Sequence, residues 1–486
     1  MLNAWEQRKS IIVVGGGFAG TLFALAAAAA PRLDVVLVER ERRAGPGLAY
    51  GACAPQHLLN VPVARMELGL APTFAQWLIA SGADLSAALD EAGGDLNRAF
   101  VPRALFGAYL AERLEAALDA GDGRLRRVRG DVVRVSDRPV PCVQLADGRR
   151  IEGTHVVLAT GNLPPRPPRC RDGGVYDSPL FVPDPWRFDA LDALGADDPV
   201  LLLGSGLTMV DVALMLAARG HRGPIWSVSR HGLLPQTHAD VPGRKGGFEA
   251  FLDPAEARDP NQALRIIRAA VAQAAARDVP WQRVMDAARP ALAGVWSGWS
   301  QAARARFLRH ARTYWDVHRH RMAPRIAAGL EALVTSGQLQ VMAGRLTALE
   351  GVPGGIAATI RRRHSGRAAV LQVARVVNCT GPRSDFASLA APPFEALRET
   401  GRIRADALGL GIETRGCAVL DRYGHASTWL FALGALTRPA FWEVTAVPEI
   451  AVQAHQLADA LSRAAIPHHR PEARLIADFV NLGEGI

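Results

Sequence analysis

Two glycine-rich turns constrain the fold of this chain more than any other feature of its sequence. Each follows a short apolar run: Ile11–Val14 leads into Gly15-Gly16-Gly17-Phe18-Ala19-Gly20, and Val200–Leu203 leads into Gly204-Ser205-Gly206-Leu207. A strand that runs into G-x-G and then a helix is typical of a dinucleotide-binding unit. Glycine lets the backbone approach a pyrophosphate, and the helix N-terminus faces the anion. Two such units predict two bound dinucleotides, with electrons passing from one to the other.

The first unit is complete in the sequence. An Ala/Leu-rich helical pattern continues from Gly20 to Ala30, and a second apolar run, residues 34–38, ends at Glu39. Glu39 lies 19 residues after Gly20, where the fingerprint places a carboxylate that accepts hydrogen bonds from ribose hydroxyls. We therefore expect FAD to bind here, with contacts from Gly15, Gly17, Phe18, Ala19, Gly20, Glu39 and Arg40.

Residues 11–30 are also an uncharged stretch of about the length that spans a membrane. The glycines at its centre and the strand that ends at Glu39 favour a buried βαβ unit instead. No basic segment followed by a cleavage site is visible, so we expect neither a signal peptide nor a membrane association.

The composition narrows the class of protein. The chain has 486 residues, of which 49% are hydrophobic and 21% charged, as in a globular protein of two or three domains. Its five cysteines are scattered without C-x-x-C or metal-ligand spacing. This pattern favours the cytoplasm and argues against a dithiol-disulfide reductase. The net charge of +9 comes from arginine. No block of clustered cations with aromatics predicts nucleic-acid binding, so anionic cofactors, with an anionic substrate as a further possibility, are the expected partners.

The second unit has a different polarity at the end of its second strand. That strand, residues 224–229, is followed by Arg230 and His231, and no acid stands where a ribose 2′-hydroxyl would be bound. Because arginine accommodates a 2′-phosphate there, we expect NADPH to be preferred over NADH. The predicted contacts are Gly204, Gly206, Leu207, Thr208 and Arg230. The third position of the motif is Met209, which predicts a wider spacing between helix and strand than glycine would allow.

The chain is expected to cross twice between the two units. Residues 155–161 and 376–381 are both apolar strands that end in Thr-Gly, before and after the second turn. We therefore predict an α/β fold with two Rossmann-like dinucleotide-binding domains and a helical insertion. An FAD domain comprises residues 1–170 and 376–486, and an NAD(P) domain comprises residues 171–375, with helices over about 245–335. Further cofactor contacts are expected from Asn60, Val133, Thr160, Gly161, Gly381, Gly434 and Val447.

The helical insertion contains a segment, residues 306–321, that is rich in arginine, histidine and aromatic residues. A solvated basic helix face and a contact with an anionic substrate or the NADP phosphate are both compatible with this pattern. A metal site is not expected, because His318 and His320 are two residues apart and would face different sides of a helix. Asp316 and Arg319 are candidate substrate residues, and Trp442 and Glu443, in a loop before the last helix, are candidates for the flavin pocket.

With these motifs in view, the sequence resembles two-dinucleotide flavoproteins. It is similar to the flavin-containing and N-hydroxylating monooxygenases, and more narrowly to bacterial proteins of the FAD-NAD(P)-binding family. The similarity is carried by both glycine turns and by five further segments, residues 47–51, 58–62, 229–235, 314–321 and 441–449. It implies FAD on the first unit and NAD(P)H on the second, but no particular substrate.

The expected function is that of an NAD(P)H-dependent FAD oxidoreductase, most specifically a monooxygenase. In such enzymes reduced flavin captures O₂, and a C4a-hydroperoxide hydroxylates a nitrogen, a sulfur or a carbonyl carbon of a small molecule. Two alternatives stay open at this point. One is a reductase or dehydrogenase that passes electrons to a quinone or a partner protein, and the other is a non-catalytic redox sensor.

Overall fold

The computed structural model of the protein describes residues 8–120, 123–239 and 248–463. The parts of the predicted FAD domain at residues 1–7 and 464–486, and the start of the predicted insertion at residues 245–247, lie outside these ranges.

Within the described residues a strand–helix–strand unit surrounds each glycine turn, β1-α1-β2 and β9-α6-β10, as the sequence predicts. The strands are β1 Lys9–Val14, β2 Leu33–Glu39, β3 Leu125–Arg129, β4 Val132–Ser136, β5 Cys142–Leu145, β6 Arg150–Glu152, β7 His155–Leu158, β8 Phe181–Val182, β9 Val200–Leu203, β10 Ile225–Ser229, β11 Leu339–Val352, β12 Gly355–Arg362, β13 Ala368–Val373, β14 Arg375–Asn378, β15 Thr414–Arg415, β16 Ala418–Leu420 and β17 Ala426–Ala432. The α-helices are α1 Phe18–Ala29, α2 Gly47–Gly51, α3 Phe74–Ala80, α4 Ser86–Glu91, α5 Arg103–Asp119, α6 Leu207–Ala218, α7 Pro260–Ala275, α8 Trp281–Ala288, α9 Leu292–Gly298, α10 Gln301–His310, α11 Arg312–Arg319, α12 Pro324–Thr335, α13 Phe394–Glu399 and α14 Val447–Arg463.

The first sheet has seven strands in the order β15-β16-β17-β7-β1-β2-β3. Strands β3, β2, β1, β7 and β17 are parallel to one another, and β16 and β15 continue the sheet in antiparallel pairing. Its central strands are mostly apolar because helices α1, α5 and α14 cover one face and the small β4-β5-β6 sheet lies on the other. The stretch from residue 11 to residue 30 is thus a strand, a turn and a helix, as predicted.

The second sheet repeats this design in the middle of the chain, in the order β13-β12-β11-β10-β9-β14-β8. Strands β8, β14, β9, β10 and β11 are parallel, while β12 pairs antiparallel with β11 and β13 pairs antiparallel with β12. Helices α6 and α12 pack on this sheet. The predicted α/β class with two Rossmann-like units is therefore confirmed.

The helices α7 to α12 connect β10 to β11 and form the predicted insertion. Their core contains Trp296, Trp299 and Phe307, which pack together with Trp442 from the C-terminal part of the chain. In the described part of the chain, no helix is both long enough and apolar enough to cross a membrane.

The domain limits drawn from the sequence stay a prediction. The pairing of one strand bears on the limit placed at residue 376. Strand β14 pairs with β9 along residues Arg375–Asn378, so the chain is still in the second sheet after residue 376. It enters the first sheet again only at β15.

Candidate functional site

The first glycine turn is packed so closely that two of its positions have no space for a side chain. A Cβ at Gly15, whose φ is +105°, would lie 2.5 Å from the carbonyl oxygen of Ala159, and a Cβ at Gly20 would lie 1.9 Å from the carbonyl oxygen of Gly15. Helix α1 begins at Phe18 after Gly17, with no side-chain cap at its N-terminus. The first-turn N–H groups are therefore available to an anion, as a pyrophosphate requires.

Glu39 stands at the end of β2, directly beside this turn. Its Oε2 accepts a hydrogen bond from the Gly16 N–H at 2.6 Å, and its Oε1 accepts one from the Glu41 N–H at 2.8 Å. Arg40 is exposed, and its Nε lies 3.6 Å from Oε1 of Glu41. The carboxylate is thus fixed at the place where the adenosine ribose of a dinucleotide would lie.

Two further segments, residues 160–161 and Gly434, reach the same edge of the first sheet. The Oγ1 of Thr160, which follows β7, is buried without a hydrogen-bond partner. Gly161 has φ +68° and open space around its Cα. A Cβ on Gly434, whose φ is +65°, would be 3.4 Å from the Cβ of Ala19. An orphaned hydroxyl beside an open glycine cradle fits a polar ligand such as FAD.

The remaining predicted FAD contacts lie nearby. Val133 is on β4, just after Gly130, whose N–H donates to the carbonyl oxygen of Glu39 at 2.9 Å. Asn60 and Val447 both line a cavity of about 770 Å³. Val447 is the first residue of α14, which packs against α1.

This cavity lies between the first unit and the helical insertion. Its walls are the loop at residues 59–66, the start of α14, and residues 282–328 of the insertion. Seven arginines line it, against two carboxylates: Arg65, Arg98, Arg283, Arg289, Arg319, Arg321 and Arg325, with Glu91 and Asp286. The cavity wall is therefore strongly cationic.

A buried ionic network backs one wall of the cavity. Arg319 and Glu443 are each about nine-tenths buried, and the Arg319 Nε lies 2.8 Å from Oε2 of Glu443 without the alignment of a hydrogen bond. Trp315 Nε1 donates to Oε1 of Glu443 at 3.0 Å. Arg289 binds both carboxylate oxygens of Glu449, with its Nη2 2.5 Å from Oε2. Burial opposes the ionisation of Glu449, but the hydrogen bonds and charge of Arg289 outweigh it and lower its pKa.

A second set of charges lies beside the first. Asp286 accepts from Arg65 Nη2 at 3.1 Å and from Arg321. The Nε of Arg321 is buried without a hydrogen-bond partner. Burial and the charge of Arg321 lower the pKa of His238 to about 4, and its Nε2 lies 2.8 Å from the carbonyl oxygen of Asn60. At neutral pH this imidazole is uncharged and donates its Nε2 proton to that carbonyl.

The structure brings only some of the candidate substrate residues to the cavity. Arg319 lines it, and Glu443 lies directly behind. Trp442 is 4% exposed and stacks on Trp296 with ring centroids 4.6 Å apart, so it belongs to the core of the insertion. Asp316 pairs with Arg312 at 3.2 Å and does not line the cavity. The sequence gives no signal that distinguishes a residue of the cavity wall from a residue that lies away from the cavity.

The second glycine turn has the same backbone geometry as the first. A Cβ at Gly204, whose φ is +113°, would lie 2.4 Å from the carbonyl oxygen of Cys379. Gly206 precedes helix α6, which begins at Leu207 and Thr208 without a side-chain cap. Gly381, with φ +88°, follows β14 with open space around it. The predicted nucleotide contacts therefore meet at one edge of the second sheet.

Arg230 lies at the end of β10 and is exposed. Arg363, from the turn after β12, donates from Nη1 to the carbonyl oxygen of Arg230 at 3.2 Å. Partial burial and the charges of Arg363 and Arg230 lower the pKa of the adjacent His231. Arg363 was not identified from the sequence, because 133 residues separate it from Arg230.

An ion pair joins the two units. Arg103, at the start of α5, donates from Nη1 to Oδ2 of Asp211 on α6 at 3.1 Å, and from Nη2 to the carbonyl oxygen of Leu58 at 3.2 Å. The ring of His57 lies 3.2 Å from the carbonyl oxygen of Asp211. The loop that approaches the first glycine turn is thus anchored to the helix that follows the second.

No group of three or more metal-ligating side chains occurs in residues 8–120, 123–239 and 248–463.

Comparison with known proteins agrees with this geometry. No curated protein matches the sequence, but residues 12–163 match the model of a family described as FAD-NAD(P)-binding. Among solved structures, L-lysine 6-monooxygenase from Pseudomonas syringae is 21% identical, with a TM-score of 0.64 over 94% of this chain and 99% of its own.

Two further structures have the same fold. The ornithine N-hydroxylase from Kutzneria sp. 744, solved with reduced FAD, NADP⁺ and L-ornithine, is 16% identical with a TM-score of 0.62, covering 94% of this chain and 99% of its own. The cadaverine monooxygenase of desferrioxamine biosynthesis from Erwinia amylovora, solved with FAD, is 14% identical with a TM-score of 0.64, covering 96% and 98%. Residues 12–163 therefore match the FAD-NAD(P)-binding family, and the chain has the fold of these three monooxygenase structures.

Proposed function

We propose that this protein is an NADPH-dependent FAD monooxygenase that hydroxylates the nitrogen of a small amine carrying an anionic group. The observation that supports this most directly is the cavity of about 770 Å³ between the first unit and the insertion. Two predicted FAD contacts, Asn60 and Val447, line one side of it, and insertion arginines line the other. A substrate in the cavity would therefore meet both the flavin region and a cationic wall.

The bound FAD would supply the redox chemistry, by accepting a hydride and then activating oxygen. The chain itself positions the substrate and keeps water away. Arg319 and Arg321 are each nine-tenths or more buried, and both have guanidinium N–H groups without hydrogen-bond partners. A carboxylate or phosphate on the substrate would be attracted to these cations, and the entropic cost would be small because the ion pairs already hold both side chains in place.

The charges around the cavity are also compatible with a bound amine. Burial lowers the pKa of both His238 and His320 to about 4, so neither adds a positive charge to the cavity at neutral pH. Glu91 and Asp286 supply the acidic part of the wall. The structural relatives are lysine, ornithine and cadaverine monooxygenases, and the first two of these substrates carry a carboxylate.

The test is oxygen consumption and hydroxylamine formation by the FAD-loaded protein, with NADPH and with lysine, ornithine and cadaverine as probes. We expect product from at least one amine that carries a carboxylate, and less from cadaverine. NADPH oxidation with quinone reduction but no hydroxylated product would make the protein a reductase. Absence of turnover with all acceptors, despite bound FAD, would favour a redox sensor.

A matched pair of variants tests the anionic group. Arg321→Gln should raise KM for a carboxylate-bearing amine by about 10- to 150-fold, the range of a charge-assisted hydrogen bond. It should leave KM for cadaverine nearly unchanged. Arg325→Gln is the control, since its side chain is 58% exposed and lies at the cavity edge. Equal losses for both substrates would mean that Arg321 supports the fold through Asp286.

We also propose a cytoplasmic location, because all five cysteines are free thiols.

A further inference from the structure

The hairpin at β12–β13 carries a concentration of cations that no carboxylate neutralises. Five arginines belong to it or to the facing strand, and a sixth directly follows β10: Arg345, Arg361, Arg362, Arg363, Arg367 and Arg230. In the described part of the chain none of the six has a carboxylate within ion-pair distance, and Arg345 stands directly opposite Arg361 in the ladder. Like charges in opposing positions destabilise a sheet, so an anion bound near this hairpin would relieve the repulsion.

One of these arginines is held at the edge of the second nucleotide unit. The backbone N–H of Arg363 donates to the carbonyl oxygen of Ala343 at 2.9 Å, and Ala343 is paired with Ser229, the last residue of β10. The Arg363 Nη1 then donates to the carbonyl oxygen of Arg230 at 3.2 Å. The guanidinium is therefore fixed next to the backbone of Arg230, and both arginines remain exposed.

The loop that carries Arg230 is itself held in place. The Ser229 Oγ accepts from the Gly232 N–H at 2.9 Å and lies 2.8 Å from the Ser205 Oγ of the glycine turn. Gly232 has φ +65°, and a Cβ there would be 3.0 Å from the Ala343 N. The His231 ring packs edge-to-face on Tyr314, with centroids 5.5 Å apart. Loop, turn and hairpin thus form one cationic surface at the end of β10.

We propose that Arg363 and Arg230 together bind the 2′-phosphate of NADPH, with Arg363 as a second, sequence-distant determinant of nucleotide specificity. This inference rests on the proposed function for its cofactor, but not on the amine or on oxygen. The end of the second strand is the place where a Rossmann unit distinguishes a 2′-phosphate from a 2′-hydroxyl. Two guanidiniums can enclose a phosphate that carries nearly two charges, which one exposed arginine alone binds weakly.

The experiment measures the binding of 2′,5′-ADP and of 5′-AMP to the FAD-loaded protein by calorimetry, so that catalysis plays no part. We expect the wild type to bind 2′,5′-ADP at least about 10-fold more tightly than 5′-AMP. Arg363→Ala should weaken the binding of 2′,5′-ADP by about 10- to 150-fold, as expected for one charge-assisted contact. It should change the affinity for 5′-AMP by less than about 2-fold. Arg363→Lys should retain part of the preference.

Arg367→Ala is the matched control, because Arg367 is on the same hairpin and exposed, but makes no hydrogen bond to the Arg230 loop. Equal weakening of both ligands by Arg363→Ala would overturn the proposal, as would a wild type that does not distinguish them. A loss with Arg367→Ala equal to that with Arg363→Ala would also overturn it, since the hairpin would then act through general charge. Amine hydroxylation by the same preparations shows separately whether the proposed function holds.

Discussion

Both glycine turns have glycine at the first position of the G-x-G-x-x-G motif, but only the first turn has glycine at the third. Gly15 and Gly204 have φ values of +105° and +113°, and a Cβ at either would lie about as close to a carbonyl oxygen of the neighbouring strand, 2.5 and 2.4 Å. At the third position, a Cβ on Gly20 would be 1.9 Å from Gly15 O, whereas Met209 is a fully buried side chain in the second core. The turn itself is thus a fixed requirement, while the helix contact behind it can be made by glycine or by a packed side chain.

The units differ again where their second strands end. Glu39 ends β2 and accepts hydrogen bonds from two backbone N–H groups. Arg230 follows β10 and is joined by a second arginine. We therefore expect the shared scaffold to provide the pyrophosphate cradle and the strand end to decide which ribose is bound.

The largest effect expected from this comparison comes from the third position. Gly20→Val should abolish FAD retention, because its side chain cannot avoid the Gly15 carbonyl without displacing α1. Met209→Ala removes side-chain volume from the second core and should lower stability by about 2–5 kcal/mol while leaving FAD bound. Flavin absorbance of the purified variants and their thermal unfolding measure both outcomes. Flavin retained by Gly20→Val would show that the first unit tolerates a side chain as the second does.

Next in size is the acid sensitivity of the first sheet. Burial, with the charge of Lys9, lowers the pKa of His155 to about 4. The folded protein then binds fewer protons than the unfolded chain, so stability that is present above about pH 6.5 is lost as the pH falls toward 4, by up to about 3 kcal/mol. The second-sheet strand β14 begins instead with Arg375.

Thermal unfolding between pH 7 and 4.5 tests the acid sensitivity. His155→Gln should flatten the dependence, while His364→Gln, at an exposed turn, should not. An unchanged slope in His155→Gln would assign the acid sensitivity to other groups.

The next largest effect is expected on the preference for NADPH over NADH. Arg230→Ala should raise KM for NADPH by about 10- to 150-fold, because a charge-assisted contact contributes about 1.5–3 kcal/mol, and leave KM for NADH nearly unchanged. Steady-state NADPH and NADH oxidation on the same preparation gives both values. Equal losses with the two nucleotides would mean that Arg230 only supports its loop.

The smallest effect is expected at Glu39. Glu39→Gln keeps an oxygen acceptor but loses the charge, which costs about 1 kcal/mol and weakens FAD binding by roughly 5-fold. Titration of the apoprotein with FAD measures it. A loss above about 100-fold would show that the carboxylate mainly organises the turn through Gly16, and that its contact with the ribose is secondary.

The sequence alone was sufficient for the parts of the fold that depend on local pattern. The glycine turns, the strand that ends at Glu39 and the interruption by helices follow from spacing and hydrophobic periodicity, and the structure confirms the α/β architecture they predict. Each strand–turn–helix–strand unit is encoded within about 30 consecutive residues.

The cavity was harder to predict because its charges come from distant segments. Arg65 meets Asp286 across 221 residues, and Arg289 meets Glu449 across 160. Trp442 and Glu443 are adjacent in the sequence, yet the tryptophan packs into the insertion core and the carboxylate backs the cavity wall. No periodicity specifies which surfaces the insertion helices bring together, so a single sequence could identify Arg319 as a candidate but not its partners.

The ion pair between Arg103 and Asp211 limits how this protein can be divided or recombined. Their side chains are 14% and 10% exposed, so a fragment that carries only the second sheet would present an acidic residue on α6 without its guanidinium. Removing one member of a largely buried pair costs more than the pair contributes, because the remaining charge is left poorly solvated. A chimera that takes one unit from a relative must therefore import both residues or neither.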